Sequence, residues 1–221
     1  MFIGHYAPAF VGKRVAKSVP LWVLFAAVQL VDIAWGIFIA TGVEHVRIIE
    51  GFTASNSLDL YDMPWTHSLV MALVWSLGAG LVWAALARRD KKLGGIVVGA
   101  AVFSHWLTDL IVHVPDLALY PGSDIKFGFG LWNNFPVATG LEVTLFLGSM
   151  LFYLAGTRAK GAFGRIWPFI AAALMLGLYY VGMTLTPPED LAVAGSSAVV
   201  MYVLLCMIAG VFDFTREPKR R

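Results

Sequence analysis

The chain is almost without cysteine and poor in charge. Cys206 is the single cysteine in 221 residues, so an intrachain disulfide is impossible and a thiolate-built zinc or iron–sulfur site is excluded. Cys206 sits in the last apolar run and reads as a small buried side chain. Charged residues make up only 14% of the sequence, against about a quarter in a soluble domain. Internal repeats and low-complexity tracts are also absent. No basic n-region precedes Lys13, and the first long apolar run is too long for a signal h-region, so a cleavable signal peptide is not expected.

Hydrophobic residues fill what charge leaves vacant. They reach 59%, with a mean hydropathy of +0.75, and a soluble domain of this length could not cover so much apolar surface. Six runs are long enough to cross a bilayer, at about Leu21–Thr41, Thr66–Ala87, Gly94–Pro115, Val137–Gly156, Ile166–Leu185 and Gly195–Phe212. The expected fold is therefore an all-α polytopic bundle of six spanning helices. The connecting loops are too short to form a second domain, so residues 1–221 read as one integral membrane domain.

Basic residues fix the expected orientation. Lys13, Arg14 and Lys17 precede the first run, Arg88, Arg89, Lys91 and Lys92 follow the second, Arg158, Lys160 and Arg165 follow the fourth, and Arg216, Lys219, Arg220 and Arg221 close the chain. Arg47 and Lys126 are left for the other side. The positive-inside rule places both termini in the cytoplasm. The net charge of +2 reflects this asymmetry and does not point to nucleic acid.

The ionisable residues inside the apolar runs are unevenly distributed. The last two runs have none in their apolar cores, whereas the first four carry Asp32, His67, His105, Asp109, His113 and Glu142. Such a residue at mid-bilayer depth costs about 3 kcal/mol or more unless it faces a polar site. His105 and Asp109 stand four apart, on one helix face. Counting about 1.5 Å per residue from the basic ends puts Asp32, His105, Asp109, Glu142 and His67 in one band, roughly 18–30 Å up. The site is thus expected in the outer half of the membrane, within residues 1–156, with residues 157–221 supplying two supporting helices and a tail. His5 lies in Gly4–Gly12, an apolar segment too short to span. It reads as an interfacial or re-entrant piece whose reach of about 12–18 Å just meets Asp32 and His105.

In order along the chain stand Gly4-His5, Asp32, Thr66-His67-Ser68, Ser104-His105-x-x-x-Asp109 and Glu142. This series resembles the bacterial membrane-bound metal-dependent hydrolases related to the LexA-binding inner-membrane hydrolase, over roughly the first 145 residues. The resemblance implies a hydrolase of the bacterial cytoplasmic (inner) membrane. Two departures stand out: Val31-Asp32-Ile33-Ala34 lacks the second carboxylate of a Pro-Asp-x-Asp pattern, and Asp62-Met63-Pro64-Trp65 replaces His-Arg-Gly.

Imidazole and carboxylate ligands without thiolate suit zinc, manganese or iron. His5, His67, His105 and Asp109 are the expected metal ligands, and Asp32 and Glu142 the expected catalytic carboxylates, as base or as ligand support. More candidates are present than one tetrahedral zinc needs, so one or two ions are expected. His113 is a further candidate, and Ser68 and Ser104 read as hydrogen-bonding supports. Glu44, His45, Arg47, Glu50 and Asp59 read as a solvated loop, with Asp62 a marginal site candidate. The Gly/Pro-rich, aromatic loop Tyr120–Pro136 reads as an interfacial belt or a lid, with Lys126 placed to meet an anionic head group. Gly95-x-x-x-Gly99 fits close helix packing within the bundle or in a homodimer. The function expected is metal-assisted hydrolysis of a lipid or lipid-like substrate. An ion or proton transporter and a non-enzymatic assembly protein are the rivals; a transporter would more often show paired broken helices or a repeat.

Overall fold

Apolar run length sets the helices. A computed structural model describes residues 1–185 and 187–219, so Arg220 and Arg221 of the basic tail lie outside the described residues. Five helices are long and apolar enough to cross a membrane: α4 (Leu69–Leu86), α5 (Lys91–Val112), α6 (Phe135–Ala155), α7 (Ala162–Thr184) and α8 (Leu191–Thr215). They follow α1 (Ala7–Val15) and the pair α2 (Leu21–Val28) and α3 (Leu30–Thr41). Taken together the pair is also long and apolar enough to cross, as a broken span or a re-entrant piece, and the chain is an all-α bundle with five or six such helices among the described residues.

The first span differs from its expected form. It is bent by 52° at Gln29 instead of running straight. Gln29 leaves helical geometry, with φ −109° and ψ 8°, and Val28 at the break offers its carbonyl to His105. Among the described residues it is the one bent pair of this kind.

The N-terminal segment is inside the bundle rather than on its surface. A 3-10 turn at Ile3–Tyr6 leads into α1, and Ile3, Tyr6, Ala9 and Phe10 are fully buried. Phe10 packs against Phe25 of α2, Phe146 and Tyr153 of α6 and Phe212 of α8. Burying such a side chain contributes about 1.5–3 kcal/mol in water, so this aromatic cluster fixes how far the segment reaches. At the basic end Lys13 pairs with Asp213 at 3.0 Å, and Asp213 also accepts from the Leu21 amide at 2.7 Å.

The Gly95-x-x-x-Gly99 face is used within the chain. A Cβ on Gly95 would stand 2.7 Å from the Gly80 carbonyl, and one on Gly99 would stand 3.0 Å from that of Ser76. Small residues here let α4 and α5 meet backbone to backbone.

Short hairpins close the ends. β1 (His45–Ile48) pairs with β2 (Leu58–Asp62), with His45 opposite Asp62, where the sequence suggests only a solvated loop. β3 (Leu117–Ala118) pairs with β4 (Lys126–Phe127). At the basic end β5 (Thr157–Ala159) pairs with β6 (Arg216–Pro218).

Candidate metal centre

Four buried histidines converge on two carboxylates. His5 comes from the inserted N-terminal turn, Asp32 from α3, His67 from the turn before α4, and His105 and Asp109 from adjacent turns of α5, with His113 just past its end. The Nε2 atoms of His67 and His105 lie 3.2 and 3.3 Å from Asp32 Oδ1. They lie 3.7 and 3.0 Å from Asp109 Oδ2. On the other side of the same carboxylate, Asp109 Oδ1 lies 3.1 Å from His5 Nε2 and 3.5 Å from His113 Nε2. The Met1 nitrogen is 2.6 Å from this oxygen. Ligand atoms about 2.0–2.2 Å from one zinc stand roughly 3.3–3.6 Å apart at the corners of a tetrahedron. The ligand atoms of Asp32, His67 and His105 therefore suit a single cation, with Asp109 Oδ2 beside them at 3.0 Å from His105 and 3.7 Å from His67.

The partner of each ring's second nitrogen bears on its tautomer. His105 Nδ1 lies 2.6 Å from the Val28 carbonyl, which can only accept. His113 Nδ1 lies 2.9 Å from the Asp116 carboxylate. His67 Nδ1 meets Thr66 Oγ1 at 2.7 Å, and that hydroxyl already donates to Glu44 Oε2 at 2.7 Å. His5 Nδ1 meets Thr108 Oγ1 at 2.7 Å, and the one hydrogen of that hydroxyl has the Ser104 and His105 carbonyls within reach at 3.0 and 2.9 Å. In His67, His105 and His113 Nδ1 donates, so in the neutral imidazole Nε2 presents a lone pair, and His5 can take the same tautomer. Lone pairs and carboxylate oxygens then face one another. His5 Nε2, His105 Nε2 and Asp109 Oδ2 are buried with no hydrogen-bond partner, an arrangement that costs free energy unless a cation fills it. The residues therefore fit a divalent metal.

Surrounding groups hold the carboxylates. Tyr202 on α8 donates to Asp32 Oδ2 at 2.9 Å. Glu142 Oε2 accepts from the amides of Phe2 and Gly4 at 2.8 and 3.1 Å, and Glu142 lines the cavity beside the cluster. That cavity, about 420 Å³, also takes Asp32, His67, Asp109 and His113 into its wall, with Phe2, Trp35, Trp132 and Met201 among its apolar members. Trp132 packs against His113, with ring centroids 4.3 Å apart and planes tilted by 37°. The loop carrying Trp132 passes tightly over the end of α5 at Gly128, whose φ is +154°. A Cβ there would collide with the carbonyls of His113 and Val114.

The remaining sequence candidates lie elsewhere. Ser68 Oγ donates to the Pro64 carbonyl and Ser104 Oγ to that of Ala101, so both serve the backbone. Lys126 Nζ donates to the Tyr61 carbonyl at the surface, and Asp62 pairs with exposed His45. Glu44 needs a correction: it is not solvated but fully buried, and accepts from the Trp65 and Thr66 amides at 2.7 and 2.9 Å as well as from the Thr66 hydroxyl. Solvent cannot serve a carboxylate in that position, so the backbone of the turn and Thr66 do. Glu44, Thr66, Asp116 and Tyr202 are the functional positions that composition and spacing did not single out. The one local signal was Thr66 standing next to His67. Comparison with family models, with curated proteins and with solved structures finds no match to this chain.

Proposed function

We propose that the protein is a membrane-embedded, metal-dependent hydrolase of a bacterial cytoplasmic membrane, with both termini cytoplasmic, acting on a lipid or lipid-like substrate. The observation that carries this reading is the convergence of four imidazoles on two carboxylates, with His5 Nε2, His105 Nε2 and Asp109 Oδ2 left without a hydrogen-bond partner. Asp32, His67, His105 and Asp109 Oδ2 hold a divalent ion, with zinc the best match to their chemistry. When bound, such an ion supplies a Lewis acid that polarises a scissile carbonyl or phosphoryl and acidifies water.

The chain's own groups do the rest. Glu142, anchored through one oxygen by two backbone amides, takes the proton of the attacking water and returns it to the leaving group. Asp32 serves as ligand rather than base, since one of its oxygens faces two imidazoles and the other is held by Tyr202. The apolar wall around Trp35, Trp132 and Met201 accepts a chain that already partitions into the bilayer. The bond cleaved is a carboxylic ester, an amide or a phosphoester.

The test is elemental analysis of protein purified without chelators, followed by turnover on a panel of those three lipid classes. Wild type is expected to retain stoichiometric metal, His105→Ala and Asp109→Asn to lose it, and Glu142→Gln to keep it while losing turnover. Well-folded wild type without metal overturns the reading. The break at Gln29, whose amide is buried and unpartnered, favours a second reading, an ion carrier. Ion flux in proteoliposomes with no turnover of any lipid would establish it.

A further inference from the structure

Asp109 uses its two oxygens differently. Oδ2 faces His67 and His105, while Oδ1 faces His5 and His113. A carboxylate with a separate imidazole pair on each oxygen bridges two cations in a dinuclear centre. His5 and His105 strengthen the case: their rings are stacked, with centroids 3.7 Å apart and planes within 10°. Each Nε2 is directed at a different Asp109 oxygen, at 3.1 and 3.0 Å. His5 is 1% exposed and its Nε2 has no hydrogen-bond partner, and the ligand atoms of His5, His105 and Asp109 form a second close group beside that of Asp32, His67 and His105. In this structure the cationic group beside Oδ1 is the Met1 ammonium at 2.6 Å.

We propose that His5, His113 and Asp109 Oδ1 form a second divalent-cation site, bridged by Asp109 to the Asp32–His67–His105 site. The proposal rests on the metal-centre reading above and deepens it. This second site would have three protein ligands, which leaves a position for water or substrate, as catalytic sites do. His113 and Glu142 line the same cavity, so the proposed base stands on the side of that open position.

Metal content and manganese spectroscopy test this without reference to turnover. Chelator-free wild type is expected to hold two ions per chain, and His113→Ala and His5→Gln one each. Manganese(II)-loaded wild type is expected to give an exchange-coupled paramagnetic resonance spectrum, and manganese-loaded His113→Ala an isolated six-line signal. One ion per chain in wild type, unchanged in both variants and with an uncoupled manganese spectrum, overturns the second site and leaves the first standing. No bound metal at all overturns the parent reading instead. Should either variant fail to fold, the manganese spectrum of wild type decides alone.

Discussion

Replacing Glu44 by glutamine changes no shape, yet it reverses a proton. The Thr66 hydroxyl has one hydrogen, which it gives to Glu44 Oε2 at 2.7 Å while accepting from His67 Nδ1 at 2.7 Å. In Glu44→Gln an amide NH2 takes the place of one carboxylate oxygen. If it faces Thr66, the hydroxyl hydrogen loses its acceptor and turns toward His67 Nδ1, which moves the imidazole proton to Nε2 and removes the lone pair from the metal side. If the amide is flipped, its NH2 opposes the Trp65 and Thr66 amides that now donate to Glu44. Both orientations leave a buried donor unmatched, at a cost of about 1–3 kcal/mol. Loss of an outer partner of a ligating histidine typically lowers metal affinity about 10–100-fold, or about 1.4–2.8 kcal/mol. The assay is competition with a chromophoric chelator in detergent, for Glu44→Gln, Thr66→Val and Thr66→Ser. The first two are expected to weaken binding by that factor, while Thr66→Ser, which keeps the hydroxyl, stays within a few-fold of wild type. Wild-type affinity in folded Glu44→Gln and Thr66→Val would refute the relay.

Three further outcomes follow from the same coordinates. Stripping the metal leaves unpartnered lone pairs in the bundle, so chelator should lower the melting temperature reversibly. At a metal concentration about 100 times Kd the stabilisation lost is about 2.7 kcal/mol, and an unchanged melt on fluorescence scanning would contradict it. Tyr202→Phe removes the hydroxyl donating to Asp32 Oδ2 and should weaken metal binding up to about tenfold, with folding retained; full affinity by chelator competition would show that Asp32 needs no support. Gly95→Leu forces α4 from α5, because a Cβ already meets the Gly80 carbonyl at 2.7 Å, and should cost at least the 1–3 kcal/mol of typical overpacking. Gly78→Ala, where a Cβ meets nothing within 4 Å, should melt like wild type; equal behaviour of the two would refute close packing.

The spans were legible because their physical cause is written locally. A run that must cross a bilayer is long and apolar, and the expected Thr66–Ala87 and Ile166–Leu185 differ from Leu69–Leu86 and Ala162–Thr184 only by a few residues at each end. The bend at Gln29 was not legible, since neither proline nor glycine marks it and a lone glutamine in an apolar run reads as a tolerated polar residue. The histidines and acids in the apolar runs stood out because each is costly there; His5, His67, His105, Asp32 and Asp109 do cluster, and Asp32, His67, Asp109 and Glu142 line one cavity. Lys126 reads from sequence as a head-group contact, but the β3–β4 hairpin directs it to the Tyr61 carbonyl. Tyr202 was invisible because a tyrosine in an apolar helix is ordinary packing until its hydroxyl is seen to reach Asp32.

What the sequence hid shares one physical purpose. A metal-ready imidazole needs an acceptor on Nδ1, and inside a membrane bundle acceptors are scarce because helices consume their own carbonyls. Each ring solves this differently. The break at Gln29 offers His105 the Val28 carbonyl, and the end of α5 lets Asp116 fold back to His113. Thr108, one turn along from Ser104, relays its hydroxyl to His5. His67 sits before α4 begins, where Thr66 can turn to it only because buried Glu44 takes the hydroxyl proton. A bundle whose histidines merely packed would have no need of a broken span, a buried loop carboxylate and two hydroxyl relays, each leaving Nε2 turned toward the same pair of aspartates. Their common direction is what favours the proposed metal centre over a set of satisfied core histidines.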